Sequence, residues 1–308
     1  MDQNNVFYLE CPDFETALVD TRASQTSLAT RNMDYAHPID AGIIRVLDAP
    51  AVKTAFGSMV DMLADLQHGS VLTSGIPVDS QSFPEINAIV DECVAKLGIH
   101  RPYVVISGSV GLNAYTTGSD EEPYIVLGSI LVKAFSEDKL RFVIGHECGH
   151  IAMGHMIFHT VGHSARSLSA RIPVIGSAIY TLTALPLVAW ERRSEITADR
   201  AGLLCCGSVE AAERALLQLE AGFINSDQID MRSYVEKSRR YRRGSILRRV
   251  EEYQMNHPPL PKRIEALDLF AHSEVYYQAQ GQAVPPDSIS RARLDASVEH
   301  IIAVMGEG

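Results

Sequence analysis

The sequence predicts an α+β domain that is mostly helical and carries one small β-sheet. Three observations support this class. Short β-rich runs cluster between residues 103 and 127. A long helical pattern follows Ser136, with Leu140, Val143, Ile144 and Ile151 as its apolar stripe. Beyond about residue 190 the chain reads as helical throughout. Strands gathered first and helices afterwards are the pattern of an α+β domain. At 308 residues, 46% of them hydrophobic, the chain is long enough to bury the core of one or two domains.

In chain order, residues 1–40 are polar and weakly periodic and read as an N-terminal arm. The main domain is expected over 41–270, beginning with a helix at about 49–67. Ser82-Phe83-Pro84-Glu85 has the spacing of a capping box with proline in the first turn, so a second helix runs from there to Leu97, where Gly98 stops it. The strand-like runs are Tyr103-Val104-Val105-Ile106, Asn113-Ala114-Tyr115-Thr116 and Tyr124-Ile125-Val126-Leu127. Residues 271–284 read as a linker. Ser288 to Met305 reads as a final helix, free either to dock on the domain or to cover a cleft.

The formal net charge of -11 argues against nucleic acid as a partner. The N-terminus Met1-Asp2-Gln3-Asn4-Asn5 has no basic stretch followed by an apolar core, so no secretory leader is expected. The cysteines (Cys11, Cys93, Cys148, Cys205, Cys206) have neither the number nor the spacing of a disulfide framework or a cysteine zinc site. Reduced thiols in a cytoplasmic protein are the expectation.

The chemistry concentrates in His146-Glu147-Cys148-Gly149-His150. Two histidines four apart on a helix leave the same face and can meet one ion. Glu147 sits where it can reach a water on that ion, and zinc lowers the pKa of such water to about 7. A catalytic zinc needs a third protein ligand and an open position. The HExxHxxGxxH frame fails, because Met153 and Met156 occupy its glycine and third-histidine positions. The better candidate is Glu195, with Asp199 one turn on to accept the outer N–H of a ligand histidine.

With these motifs in hand, the chain resembles the HtpX-like and CAAX-prenyl-protease-like zinc endopeptidases of the gluzincin group, over roughly residues 80–270. Four motifs occur in the right order. Asn113-Ala114-Tyr115-Thr116-Thr117-Gly118 is similar to the edge strand that pairs with extended substrate. His146 to His150 is similar to the zinc helix, and Glu195 with Ala198-Asp199 to the third-ligand helix. His257-Pro258-Pro259-Leu260-Pro261-Lys262-Arg263 is similar to the late HPP…R motif. The resemblance implies a zincin-like fold and hydrolysis of a protein or peptide substrate. One zinc would be held by His146, His150 and Glu195, with Glu147 as general base. Asn113, Ala114 and Tyr115 would bind substrate. His257 and Arg263 would lie near the site, either stabilising an oxyanion or serving as a helix start and a structural arginine.

Membrane members of the group carry transmembrane helices. Here one uncharged run, Ile172 to Trp190, reaches membrane length. It lies between His150 and Glu195, and no second apolar run exists in that interval. Ligands on both sides of a single crossing could not meet one ion, so no full span is expected. Buried helices, or a re-entrant or surface-dipping hairpin in contact with a membrane surface, are the readings left. His155, His159 and His163 could hold a second ion or be core or solvated histidines. Arg232 to Arg249 could attract acidic substrates or lipid headgroups, or form a solvated face balanced by acids. The rivals to an active peptidase are a non-catalytic zinc-containing binding or chaperone-like protein, and a latent protease blocked by a terminal segment.

Overall fold

The computed structural model describes residues 34–40, 75–119, 122–155, 173–222, 226–242 and 257–303, with the backbone alone at 173–189, 227 and 241–242. The helix expected at 49–67, the arm before residue 34, His159, His163 and the basic residues Arg243, Arg248 and Arg249 lie outside the described residues.

Four strands form one sheet in the order β1-β2-β4-β3. They are β1 (Ile76–Pro77), β2 (Tyr103–Ser107), β3 (Ala114–Gly118) and β4 (Pro123–Gly128). β2 and β4 are parallel, with Val104 opposite Ile125, while β3 runs antiparallel to β4, with Ala114 opposite Leu127. β4 is buried along its whole length. Among the described residues β3 lies at the edge of the sheet. The three strand-like runs of the sequence are all present; β1, at two residues, is too short to show a period.

Nine helices follow among the described residues: α1 (Pro84–Leu97), α2 (Ser129–Ala134), α3 (Glu137–Met153), α4 (Pro173–Cys206), α5 (Val209–Ala221), α6 (Met231–Arg242), α7 (Leu260–Ala271), α8 (Glu274–Ala279) and α9 (Arg291–Ile302). Helix α1 ends at Gly98, which adopts φ 65. Its start differs from the expected capping box. Phe83 takes the cap position at φ 63 with no side-chain bond, and Asp79 accepts the amides of Gln81 and Ser82 instead. The apolar run after residue 172 is not a hairpin, because its backbone continues without a break through α4. Among the described residues no helix is long and apolar enough to cross a membrane.

Helices α3 and α4 pack closely because glycines line their contact. A Cβ on Gly149 would lie 2.7 Å from the Ala201 Cβ, and one on Gly145 would lie 2.6 Å from the Cys205 Cβ. From the other side, a Cβ on Gly202 would lie 2.7 Å from the Phe142 carbonyl oxygen. No side chain larger than hydrogen fits at these points without moving a helix.

Both ends of the described chain join the core. The stretch read as a linker contains α8, whose Ser273 cap accepts from the Tyr276 amide and whose Val275 is buried. Helix α9 buries Leu294, Val298 and Ile302 in the main apolar cluster. Tyr35 belongs to the same cluster, so residues 34–40 are not a free arm.

Candidate metal centre

Helix α3 presents His146 and His150 from successive turns, and α4 brings Glu195 against them. His146 Nε2 lies 3.2 Å from His150 Nε2, and the Glu195 carboxylate places Oε2 3.6 Å from the first and Oε1 3.4 Å from the second. Tetrahedral zinc bonds of about 2.0–2.1 Å would separate donors by about 3.3–3.4 Å, so the spacing fits one ion. The protons tell the same story. His146 directs Nδ1 at Asp199, 3.1 Å away, and His150 directs Nδ1 at His155, 2.9 Å away. The Nε2 lone pairs and a buried carboxylate therefore face one point, an arrangement that calls for a cation. Among the described residues this is the one cluster of histidine, cysteine and acidic groups arranged to hold a metal.

The electrostatics favour the ligand-ready forms of Glu195 and His150, whereas at His146 burial is outweighed by Asp199 and Glu195, which raise its pKa. Burial opposes charge on Glu195, yet His257 and Arg263 beside it hold its carboxyl well below the usual range. Burial likewise opposes charge on Asp199, but Arg263 and His146 outweigh it and lower its pKa. On His150 burial dominates and lowers the pKa, which keeps the imidazole neutral as a ligand must be.

A cavity of about 540 Å³ opens over this cluster, with Glu147 on its wall beside the histidines. Ala114, Tyr115 and Thr116 of the edge strand form one side, and Leu216, Leu219 and Leu260 belong to its apolar lining. Tyr115 is 40% exposed. Asn113 also lines the cavity, but it precedes β3 and its carbonyl accepts from the Gly128 amide at 2.9 Å. Thr116, which the sequence marks only as part of the substrate-pairing strand, donates from its hydroxyl to the Glu147 carboxylate.

The late motif arrives as expected but divides its work. His257, 58% exposed, lies at the cavity with Nδ1 3.0 Å from Glu195. Arg263 forks onto Asp199 with bonds of 2.8 and 2.6 Å and reaches Glu195 at 3.3 Å. Its guanidinium is thus engaged by the two carboxylates.

Other expectations resolve with the fold. His155 is not solvated, and among the described residues it joins no second metal cluster: it is fully buried between His150 and Asp40. On α6 the basic stretch is met by acids, Arg239 pairing with Glu265 and Arg240 with Glu236. Helix α9 supplies no residue to the cavity lining, so among the described residues it completes the core and does not cover the cleft.

The sequence profile of Peptidase family M48 matches residues 80–271. The chain is 25% identical over 256 residues to the plastoglobule-localized metallopeptidase 48, chloroplastic, of Arabidopsis thaliana, covering 79% of this chain and 74% of that protein. It is 29% identical over 201 residues to protease HtpX of Xylella fastidiosa, covering 56% and 68%. With protease HtpX of Pseudomonas putida it shares 26% over 268 residues, covering 75% and 88%. The small sheet, the helical majority and this match together make the fold zincin-like. The chain belongs to peptidase family M48, as an HtpX-like metalloprotease.

Proposed function

We propose that the protein is a zinc-dependent endopeptidase, with the metal held by His146, His150 and Glu195 and with Glu147 as general base. The observation that carries this reading is the convergence of two imidazole nitrogens and a buried carboxylate beside Glu147, in a cavity walled by the edge strand of the described sheet. Zinc bound there would polarise the scissile carbonyl and lower the pKa of a water to about 7. Glu147 accepts the proton of the attacking water and delivers it to the leaving amine. The Thr116 hydroxyl orients that carboxylate. An extended peptide adds a strand to β3, its main chain pairing with the free edge. His257 offers a ring N–H to the oxyanion that forms on the substrate carbonyl. Arg263 holds Asp199 and Glu195 in place. The free thiols Cys93, Cys148, Cys205 and Cys206 suit a reducing compartment, and we place the enzyme in the cytoplasm.

The test is Glu147→Gln. It should retain metal and fold while losing hydrolysis of an unfolded protein by on the order of a hundredfold or more. Equal rates for wild type and variant would remove Glu147 from the mechanism.

A further inference from the structure

The two ligand histidines are backed in different ways. His146 Nδ1 faces Asp199 directly, at 3.1 Å. His150 Nδ1 faces another imidazole, His155 Nδ1, at 2.9 Å. His155 Nε2 in turn lies 3.1 Å from both carboxylate oxygens of Asp40. Asp40 also accepts from Trp190 Nε1 at 2.8 Å. His155 and Asp40 are both fully buried.

We propose that Asp40 and His155 form a second orienting relay, doing for His150 what Asp199 does for His146. The inference rests on the metal-binding reading above. If His150 gives its Nε2 lone pair to an ion, its proton must sit on Nδ1. That N–H donates to His155 Nδ1, which then carries no proton. His155 is left with its proton on Nε2, where it donates to Asp40. One assignment of protons satisfies every contact, and the donors all run outward from the metal ligand to the carboxylate. Outer partners of this kind fix the ring orientation and raise the basicity of a ligand histidine.

The segment that delivers Asp40 is held firmly. Arg200 donates to the Tyr35 carbonyl at 3.0 Å, and the His37 amide donates to the Thr197 hydroxyl at 3.2 Å. Arg200 and Thr197 both belong to α4, the helix that carries Glu195 and Asp199. The third-ligand helix therefore carries Asp199 for one histidine and anchors the segment that carries Asp40 for the other. A buried carboxylate is costly unless its partners demand it, and of the donors that meet Asp40, His155 leads on to His150.

The experiment measures zinc(II) affinity of the full chain by competition with a chromophoric chelator. It compares wild type, Asp199→Asn, Asp40→Asn, His155→Phe and the Asp40→Asn, His155→Phe double variant. Asp40→Asn keeps the shape of the side chain, and it decides alone if His155→Phe does not fold. Asp199→Asn and Asp40→Asn should each weaken zinc binding on the order of 10–100-fold, and the double variant should be no weaker than His155→Phe alone. Cobalt(II) bound to Asp40→Asn should also show a shifted visible spectrum, a change that loss of packing away from the metal would not produce. Wild-type affinity and spectrum in Asp40→Asn, beside a weakened Asp199→Asn, would overturn the relay and leave the metal site standing. Fold-losses that multiply in the double variant would overturn it as well. A wild-type chain that binds no zinc would bring down the proposed function and the relay with it.

Discussion

The two faces of α3 make opposite demands on sequence. The face toward β3 and the cavity carries the reactive groups His146, Glu147 and His150. The face toward α4 carries Gly145 and Gly149, and at their positions even a methyl group would collide. The second face makes the first one work. The candidate donor set is split between two helices, so the distance between them would set the geometry of an ion held there. Motif residues name the chemistry, and the glycines opposite Ala198, Ala201 and Gly202 bring its halves within reach. Cys148, inside the same pentad, is fully buried, and burial pushes its thiol pKa well up. It acts as a small core residue, not as a nucleophile.

The largest effect should come from the reactive face. A Glu195→Ala, His150→Ala double variant should fall from about one zinc per chain to none, read by elemental analysis of purified protein, with hydrolysis lost alongside. Full zinc occupancy in that variant would place the ion elsewhere. A core position remote from both faces provides the contrast. Leu294 on α9 is fully buried, and Leu294→Ala should cost about 2–5 kcal/mol by denaturant titration. The rate per folded molecule should stay unchanged; a raised rate would restore a covering role for α9.

The packing face lies between these extremes. Gly149→Ala should destabilise by about 1–3 kcal/mol through overpacking against Ala201. Unlike Leu294→Ala, it should also weaken zinc binding, because it pushes α4 and with it Glu195 away from the histidines. A Gly149→Ala protein with wild-type affinity would separate helix spacing from ligand geometry.

How much of this was legible in the sequence follows from the range of each interaction. The pentad and the Glu195–Asp199 pair could be read because each is an i,i+4 pattern on one helix. The edge strand could be read through its similarity to a family motif. Asp40 could not, since it reaches its partner His155 across 115 positions and lies in a polar stretch without period. The close approach of α3 and α4 was equally hidden, because a glycine's value there depends on a residue some fifty positions away. Two local readings failed for local reasons. Asp79 captured the Ser82 amide, which Glu85 would have bonded in the expected box, and the polar residues around Gly281 masked the short helix α8.

The smallest expected effect lies outside both faces, on α5. Burial and nearby Asp268 push Glu213 up to about 7, from 4.5. The folded state then holds a proton that the unfolded chain has released, so stability falls as pH rises through this window and the loss is complete above it. Glu213→Gln should melt at a higher temperature than wild type at pH 8 and at nearly the same temperature at pH 4. After solvent screening of this half-buried group, the gain should be on the order of 1 kcal/mol or less. An equal gain at both values would assign it to something other than charge.

The central claim is that two helices place three donors around one ion next to a free base. Anomalous scattering at the zinc edge, from crystals of zinc-loaded protein, tests it most directly. The account predicts one peak per chain, about 2.0–2.1 Å from His146 Nε2, His150 Nε2 and a Glu195 oxygen, with water completing the shell and Glu147 outside it. A peak ligated by other side chains, a site closed by a fourth protein ligand that excludes water, or no peak between α3 and α4 would contradict it.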